Sequence, residues 1–262
     1  QTRHSPSYRP RGHAHILLPL PMGVKLEFAV LPLKESDLRY KMSAESGEFK
    51  NISREQVAAM RRSYSDEGFT PLADPFAQFH QWLKGATENP IIVEANAMVL
   101  STVDGDQPSS RTVLLKDVTD RFTFFANYNS RKGKEIEKNS HVSLLFPWYP
   151  MERQVIVIGK AEKVSREASE NYFATRPWSS QIGAWASHQS EELNTREELE
   201  ARYSEIALKY PEGTSVPTPP HWGGFLVRPQ ALEFWQGRPS RLHDRIHYLK
   251  KEDGWLIERL SP

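Results

Sequence analysis

The chain has 262 residues, of which 38% are hydrophobic and 26% charged, enough for one large or two modest domains with a real core. A formal charge of +1 argues against a dedicated nucleic-acid binder. The absence of cysteine excludes disulfides, thiolate metal sites and cysteine nucleophiles, and no metal site is expected. Zinc-protease, P-loop, Rossmann-glycine and G-x-S-x-G signatures are missing too, which removes the common routes to a hydrolase or nucleotidase.

Residues 1–50 read as an N-terminal extension. They hold Arg3, Arg9 and Arg11, with no acidic residue before Glu27, and Pro6, Pro10, Pro19 and Pro21 discourage a continuous helix. The apolar run from Ile16 is cut by Pro19, Pro21, Lys25 and Glu27, so it cannot be a transmembrane helix. The prolines also argue against an amphipathic presequence, so a flexible extension and a cytoplasmic location are expected, with organelle targeting left open. Residues 51–262 are expected to form a single domain.

Ser53-Arg-Glu-Gln56 fits a capping box, Ser at N-cap and Gln at N3, with a helix running through Val57, Met60 and Arg61 and fading near Tyr64. Asp74-Pro75 reads as N-cap and N1 of a second helix, with Phe76, Phe79, Trp82 and Leu83 as its core face. From Ala95 the period changes to that of strands: Ala97–Val103, a turn at Asp104-Gly105-Asp106, Ser110–Lys116, and Arg121–Phe125. On a regular strand Arg111 and Lys116, five apart, face opposite sides, so a bulge or a site between subunits is needed if they act together. Both are otherwise cations with buried stems.

Asn127-Tyr-Asn-Ser130-Arg131-Lys132-Gly-Lys134 opens a short helix capped by Ser130. Cations at a helix N-terminus oppose its dipole, by a few tenths to ~1 kcal/mol, and their presence calls for an anion. A surface charge run is the plain alternative. His141–Trp148 and Gln154–Gly159 are two further strands, and Val155–Ile158, apolar at every position, read as a central strand buried on both faces. Glu167–Thr175 is helical. Tyr172 and Arg176, four apart, lie on one face, and Ser180 beyond them adds a hydroxyl that could meet the same small anion. Arg196–Tyr210 reads as a structural helix, and a Pro-rich connector, 211–220, leads to a long strand ending at Trp235. Beyond it, Arg241, His243, Arg245 and His247 alternate with Leu242, Ile246 and Tyr248. Cationic groups sharing a strand face are tolerable beside water or beside an anionic ligand. By pattern alone this is a solvated edge strand; Trp235-Gln236 adds a flat apolar surface and an amide that suit a planar heteroaromatic ligand. A final hairpin turns near Glu252-Asp-Gly254.

Four of these stretches are long and separately specific: Arg111-Thr-Val-Leu-Leu-Lys116; Ser130-Arg-Lys-Gly-Lys134; Tyr172-x-x-x-Arg-Pro-x-x-Ser-Gln-Ile-Gly-Ala-Trp185; and Trp235-Gln-Gly…Arg241-Leu-His-Asp-Arg245, followed by a terminal Glu-Arg-Leu-Ser-Pro. Over residues 54–262 they resemble the pyridoxine/pyridoxamine 5′-phosphate oxidase family. The resemblance implies a mainly β fold with peripheral helices (α+β), an FMN-binding split β-barrel of Greek-key type, with which the strand-rich middle agrees. It implies a homodimer with FMN at the subunit interface. Hydride transfer to the flavin would oxidise pyridoxamine 5′-phosphate and pyridoxine 5′-phosphate to pyridoxal 5′-phosphate, and O2 would reoxidise the flavin to give H2O2. Arg241 and His243 would act on the substrate ring as the catalytic pair. Lys116, Tyr172, Arg176 and Ser180 would hold the substrate phosphate, and Arg61 and Tyr64 would fold over it, with Glu94 a weaker neighbour. FMN would be held by Arg111, Lys116, Phe125, Ala126, Arg131, Lys132, Gln154, Gln189, Ser190, Trp235 and Arg245. No nucleic acid or membrane partner is implied. A flavin oxidoreductase of other specificity, or a non-catalytic FMN or pyridoxal-phosphate carrier, is the alternative.

Overall fold

The computed structural model describes residues 52–60 and 63–262. The expectations for residues 1–50 and for Arg61 lie outside the described residues. The chain divides into two compact units at Ala59/Met60. Before that division, Ser53 and Gln56 make the reciprocal capping bonds, at 2.8 and 3.1 Å. The helix they start, α1 (Arg54–Ala59), buries no residue and stops at Ala59, short of the predicted end near Tyr64. Six residues without a packed face gain too little to propagate further.

After the division, Asp74 caps α2 (Pro75–Glu88) by accepting from the Phe76 and Ala77 N–H groups. The described residues form nine strands: β1 (Ala97–Asp104), β2 (Gln107–Leu114), β3 (Asp117–Val118), β4 (Phe122–Asn127), β5 (His141–Trp148), β6 (Arg153–Lys163), β7 (Trp222–Gln236), β8 (Asp244–Lys251) and β9 (Gly254–Arg259). Four further helices connect or flank them: α3 (Arg131–Lys138), α4 (Arg166–Ala174), α5 (Trp178–Ala186) and α6 (Arg196–Lys209).

All pairings are antiparallel, in the order β2-β1-β5-β6-β7-β4-β3, with β8 and β9 extending from β7. The two ends of that order, β2 and β3, are consecutive in the chain, so the sheet curls into a barrel. Leu115 N–H still bonds Asn96 O beside β1, while Lys116 N–H already bonds Thr123 O on β4. The strand therefore changes partner between adjacent residues. This removes the difficulty posed by Arg111 and Lys116: β2 ends at Leu114, so strand alternation no longer applies at Lys116, and neither a bulge nor a second subunit is required to bring the two to one cavity.

β7 is long enough to serve two surfaces. Its first half pairs β4, its second half pairs β8, and β6 runs along nearly all of it. The β6–β7 register shifts between Ile158 and Gly159. A Cβ at Gly159 would lie 2.3 Å from Arg228 O, so only glycine allows the backbones this close.

Inside the barrel, Phe79 and Trp82 of α2 meet Phe122, Phe146 and Phe234 edge-on at 4.9–5.3 Å. Burial of each such side chain contributes roughly 1.5–3 kcal/mol. β5 alternates buried and open positions, as a barrel strand must. β6 obeys the same rule and corrects the two-sided burial expected of it: Val155 and Val157 are fully buried, whereas Ile158 is 51% exposed. A second, smaller core of Phe173, Ile182, Val216 and Trp222 seats α4, α5 and the connector after α6.

Candidate active site

Two concavities gather nearly all the expected site residues. The first, about 790 Å³, is lined by Arg111, Lys116, Phe125, Ala126, Arg131, Lys132, Tyr172, Arg176, Ser180, Gln189 and Ser190 among others. Five of these side chains are cations, and they come from the end of β2, the strand break, the start of α3 and the α4–α5 junction. Ser130 caps α3 by accepting from Gly133 N–H. The helix then points Lys132 inward, where its ammonium donates to Ser130 Oγ (3.1 Å) and Gln189 Oε1 (2.7 Å). Burial, aided by the charge of Arg111, pulls the Lys132 pKa down to about 8.

Arg176 lies one residue past the C-cap of α4, as the expected helical span of Glu167–Thr175 implied. The helical turn persists through Thr175, and Arg176 N–H bonds Phe173 O, so the two side chains still meet one cavity. The guanidinium sits 4.8 Å from the ring centre of Trp222, and burial lowers its pKa. Its Nη1 is buried and is the only such side-chain atom, among the described residues, without a hydrogen-bond partner. A buried, unpaired cationic donor costs on the order of 1–3 kcal/mol, a cost that an anion would relieve. Tyr172 stacks on Phe125 at 4.0 Å, which makes that wall aromatic.

Sequence reasoning missed Glu135. Its carboxylate is buried among the cations and accepts from Ser109 (2.7 Å), Arg131 Nε (2.8 Å), Arg111 Nη2 (3.1 Å) and Thr102. Burial raises its pKa, but these hydrogen bonds outweigh that and bring it to about 2. The available signal was position: Glu135 is four residues after Arg131 on the same helix, the spacing of a side-chain pair.

The second concavity, about 1180 Å³, is lined by Tyr64, Gln154, Trp235, Arg241 and His243, with Glu152, Arg153 and Arg238. Here the predicted strand face is wrong. β8 begins only at Asp244, and Pro239–Arg241 form a 3-10 turn in which Ser240 and Arg241 have φ of +57° and +64°. The turn reverses the chain and lays His243 against Trp235, ring centres 4.7 Å apart, with Tyr64 edge-on to both. Arg238 N–H donates to His243 Nδ1 at 3.0 Å, so the neutral ring carries its proton on Nε2.

Arg245 lines neither concavity. It is held in a two-pronged pair with Glu233 (2.7 and 3.0 Å), whose hydrogen bonding raises its pKa, and it also donates to Ser261 O. Glu94 borders a separate small hollow beside the end of α2. All four non-glycine residues with positive φ among those described, Glu152, Ser190, Ser240 and Arg241, line one or other concavity. Such conformations cost of order 1–3 kcal/mol each and concentrate at ligand sites.

Two sequence families match consecutive parts of the chain: "Pyridoxamine 5′-phosphate oxidase" over residues 87–210, and "Pyridoxine 5′-phosphate oxidase C-terminal dimerisation region" over 222–262. The pyridoxine/pyridoxamine 5′-phosphate oxidase of Streptomyces avermitilis is 51% identical over 214 residues, covering 78% of this chain and 96% of that protein. The enzyme of the same name from Cupriavidus taiwanensis is 52% identical over 215 residues, covering 79% and 99%. The chain belongs to the pyridoxine/pyridoxamine 5′-phosphate oxidase family.

Among solved structures, PhzG from Burkholderia lata 383, in complex with tetrahydrophenazine-1-carboxylic acid, superposes with a TM-score of 0.70 at 28% identity, covering 76% of this chain and all of that one. A pyridoxamine 5′-phosphate oxidase-related, FMN-binding protein from Nostoc punctiforme shares the fold, with a TM-score of 0.58 at 16% identity over 73% of this chain and 98% of that one. The antiparallel barrel with peripheral helices is thus the split barrel of the oxidase family. The first concavity falls within the first matched region except for Trp222. The C-terminal match covers β7 to β9 and the 3-10 turn that carries Arg241. Among the described residues, no helix is long and apolar enough to cross a membrane.

Proposed function

We propose that this chain, paired with a second copy of itself, binds FMN and oxidises pyridoxamine 5′-phosphate and pyridoxine 5′-phosphate to pyridoxal 5′-phosphate, with O2 as the final acceptor. The observation that carries the reading is the first concavity. It contains five cations and a buried guanidinium nitrogen lacking any partner, which is the donor set two phosphate groups require. The residues present fit FMN on that ground: Arg131, Lys132, Arg111, Gln189 and Ser190 would hold its phosphate, and Phe125 and Ala126 the adjoining apolar part. Gln154 of β6, Trp235 of β7 and Arg245 of β8 would meet it from the facing copy. When bound, FMN supplies hydride acceptance from the substrate carbon and reoxidation by oxygen, with H2O2 as the product.

The chain's own residues do the placing. Arg176, Ser180, Tyr172 and Lys116 anchor the substrate phosphate at a distance from the reacting carbon, so that binding there fixes orientation. Arg241 and His243 contact the pyridine ring, Arg241 as a fixed cation and His243 as a hydrogen-bond donor through Nε2. Tyr64, against Trp235 and His243, covers the substrate and excludes water. The aromatic hollow and the cationic concavity are separate within one chain, and the C-terminal match is a dimerisation region. Both facts support a complete site built from two copies, the hollow of one copy facing the concavity of the other.

The test is spectroscopic. The purified full chain, loaded with FMN, is expected to bleach in the flavin band when pyridoxamine 5′-phosphate is added without oxygen, and to recover colour with H2O2 release when oxygen is readmitted. A chain that takes up no flavin, or whose flavin stays oxidised with both substrates, would sink the proposal.

A further inference from the structure

We infer that Glu135 is a positioning residue of the phosphate cradle, and that the affinity for the phosphorylated flavin depends on it although it is an anion in an anion site. The inference rests on the FMN reading above. Five cations line the concavity, and among the described residues Glu135 is the one carboxylate bonded to them. Its two oxygens divide the work. Oε2 accepts from Thr102 of β1 and from Ser109 and Arg111 of β2, which fixes the barrel side. Among the described residues, Oε1 accepts only from Arg131 Nε.

That single bond decides where Arg131 points. With Nε held, the guanidinium plane is set and its two Nη groups have no partner among the described residues, so they remain available to a ligand. Arg111 is restrained in the same way, by Leu100 O, Thr102, Ser109 and Glu135, with its Nε left over. Without Glu135 the 60% exposed side chain of Arg131 would be free to swing into solvent.

The sign expected for loss of the Glu135 charge is the reverse of that from simple charge counting. Removing a negative charge beside a phosphate should tighten binding if Glu135 is a bystander. If it positions Arg131, the same change should weaken binding. Glu135→Gln is nearly isosteric and keeps one carbonyl oxygen for the Oε2 contacts. Its amide then meets Arg131 Nε–H donor to donor, so it releases Arg131 while the barrel side is retained.

The experiment is titration of the full chain, stripped of flavin, with FMN and separately with riboflavin, following flavin fluorescence, alongside thermal melts. Glu135→Gln is expected to weaken FMN binding by about tenfold, the scale of one charge-assisted hydrogen bond, and to leave riboflavin binding unchanged. In an Arg131→Met background the same substitution should have a much smaller effect on FMN. Unchanged or tighter FMN binding by Glu135→Gln would overturn the inference, as would equal weakening of FMN and riboflavin, which would mark a general structural role. A wild-type chain that binds neither flavin would overturn the FMN reading and this inference together.

Discussion

The two concavities are built on different physical principles. The cationic one is a charge device. Arg111, Arg131 and Lys132 come from a strand and a capped helix and are held by hydrogen bonds, Arg176 rests on Trp222 with one nitrogen unpaired, and one buried carboxylate balances part of their repulsion. The aromatic one is a shape device. Trp235 stands on a strand, but its partners Arg241 and His243 hang from a turn in which two successive non-glycine residues are left-handed. Anchoring a phosphate requires fixed charge, which a rigid frame supplies. Steering a ring requires a side chain aimed across open space, and this chain obtains that direction from a strained turn. The first site should therefore fail in binding and the second in turnover.

The largest expected effect follows from that division. Arg241→Leu should lower kcat by about two to three orders of magnitude, the scale of losing one fixed charge at a reacting centre, while FMN affinity changes little. Steady-state kinetics and a flavin titration on the same preparation measure both. Equal loss in the two would reassign Arg241 to the cofactor and erase the contrast. Arg176→Met comes next. It keeps most of the stem over Trp222 but removes the charge. The KM for pyridoxamine 5′-phosphate should rise about 30-fold, with kcat reduced far less and FMN binding nearly unchanged. A fall in kcat alone would show that the anchor acts on chemistry and not on binding.

The same contrast explains what was legible in the sequence. Capping rules are local, and they located Ser53, Asp74 and Ser130 as helix starts, each with its hydrogen bonds in place. The cationic motifs could be read because their residues lie close together along the chain. Other features depend on the closed barrel and have no local signature. The change of partner at Leu115 and Lys116 exists because the sheet closes on itself, and the exposure of Ile158 because a barrel strand has one inward face. Ser240 and Arg241 are not residues that advertise positive φ, so their strand-like alternation was misleading. Glu135 was overlooked because a carboxylate among cations reads as surface pairing until its burial is known. Three of its four hydrogen bonds come from β1 and β2, more than 20 residues away.

The smallest expected effect is a pH dependence that belongs to the cationic concavity alone. In the folded chain without flavin, Lys132 loses its proton near pH 8, whereas in the unfolded chain a lysine keeps it to about 10.4. Between those values the unfolded state binds more protons, so the stability of the flavin-free chain should rise with pH across that window. Affinity for FMN should move the opposite way. Only the ammonium form attracts a phosphate, so raising the pH from 7 to 9 should weaken FMN binding by up to about tenfold. Lys132→Met should bind weakly and show neither trend. A bound phosphate returns the ammonium to its charged form, so the melting temperature of the FMN-loaded chain should not share the rise. Melting and binding curves that climb together through this range would place Lys132 away from the phosphate and leave the cradle to the arginines.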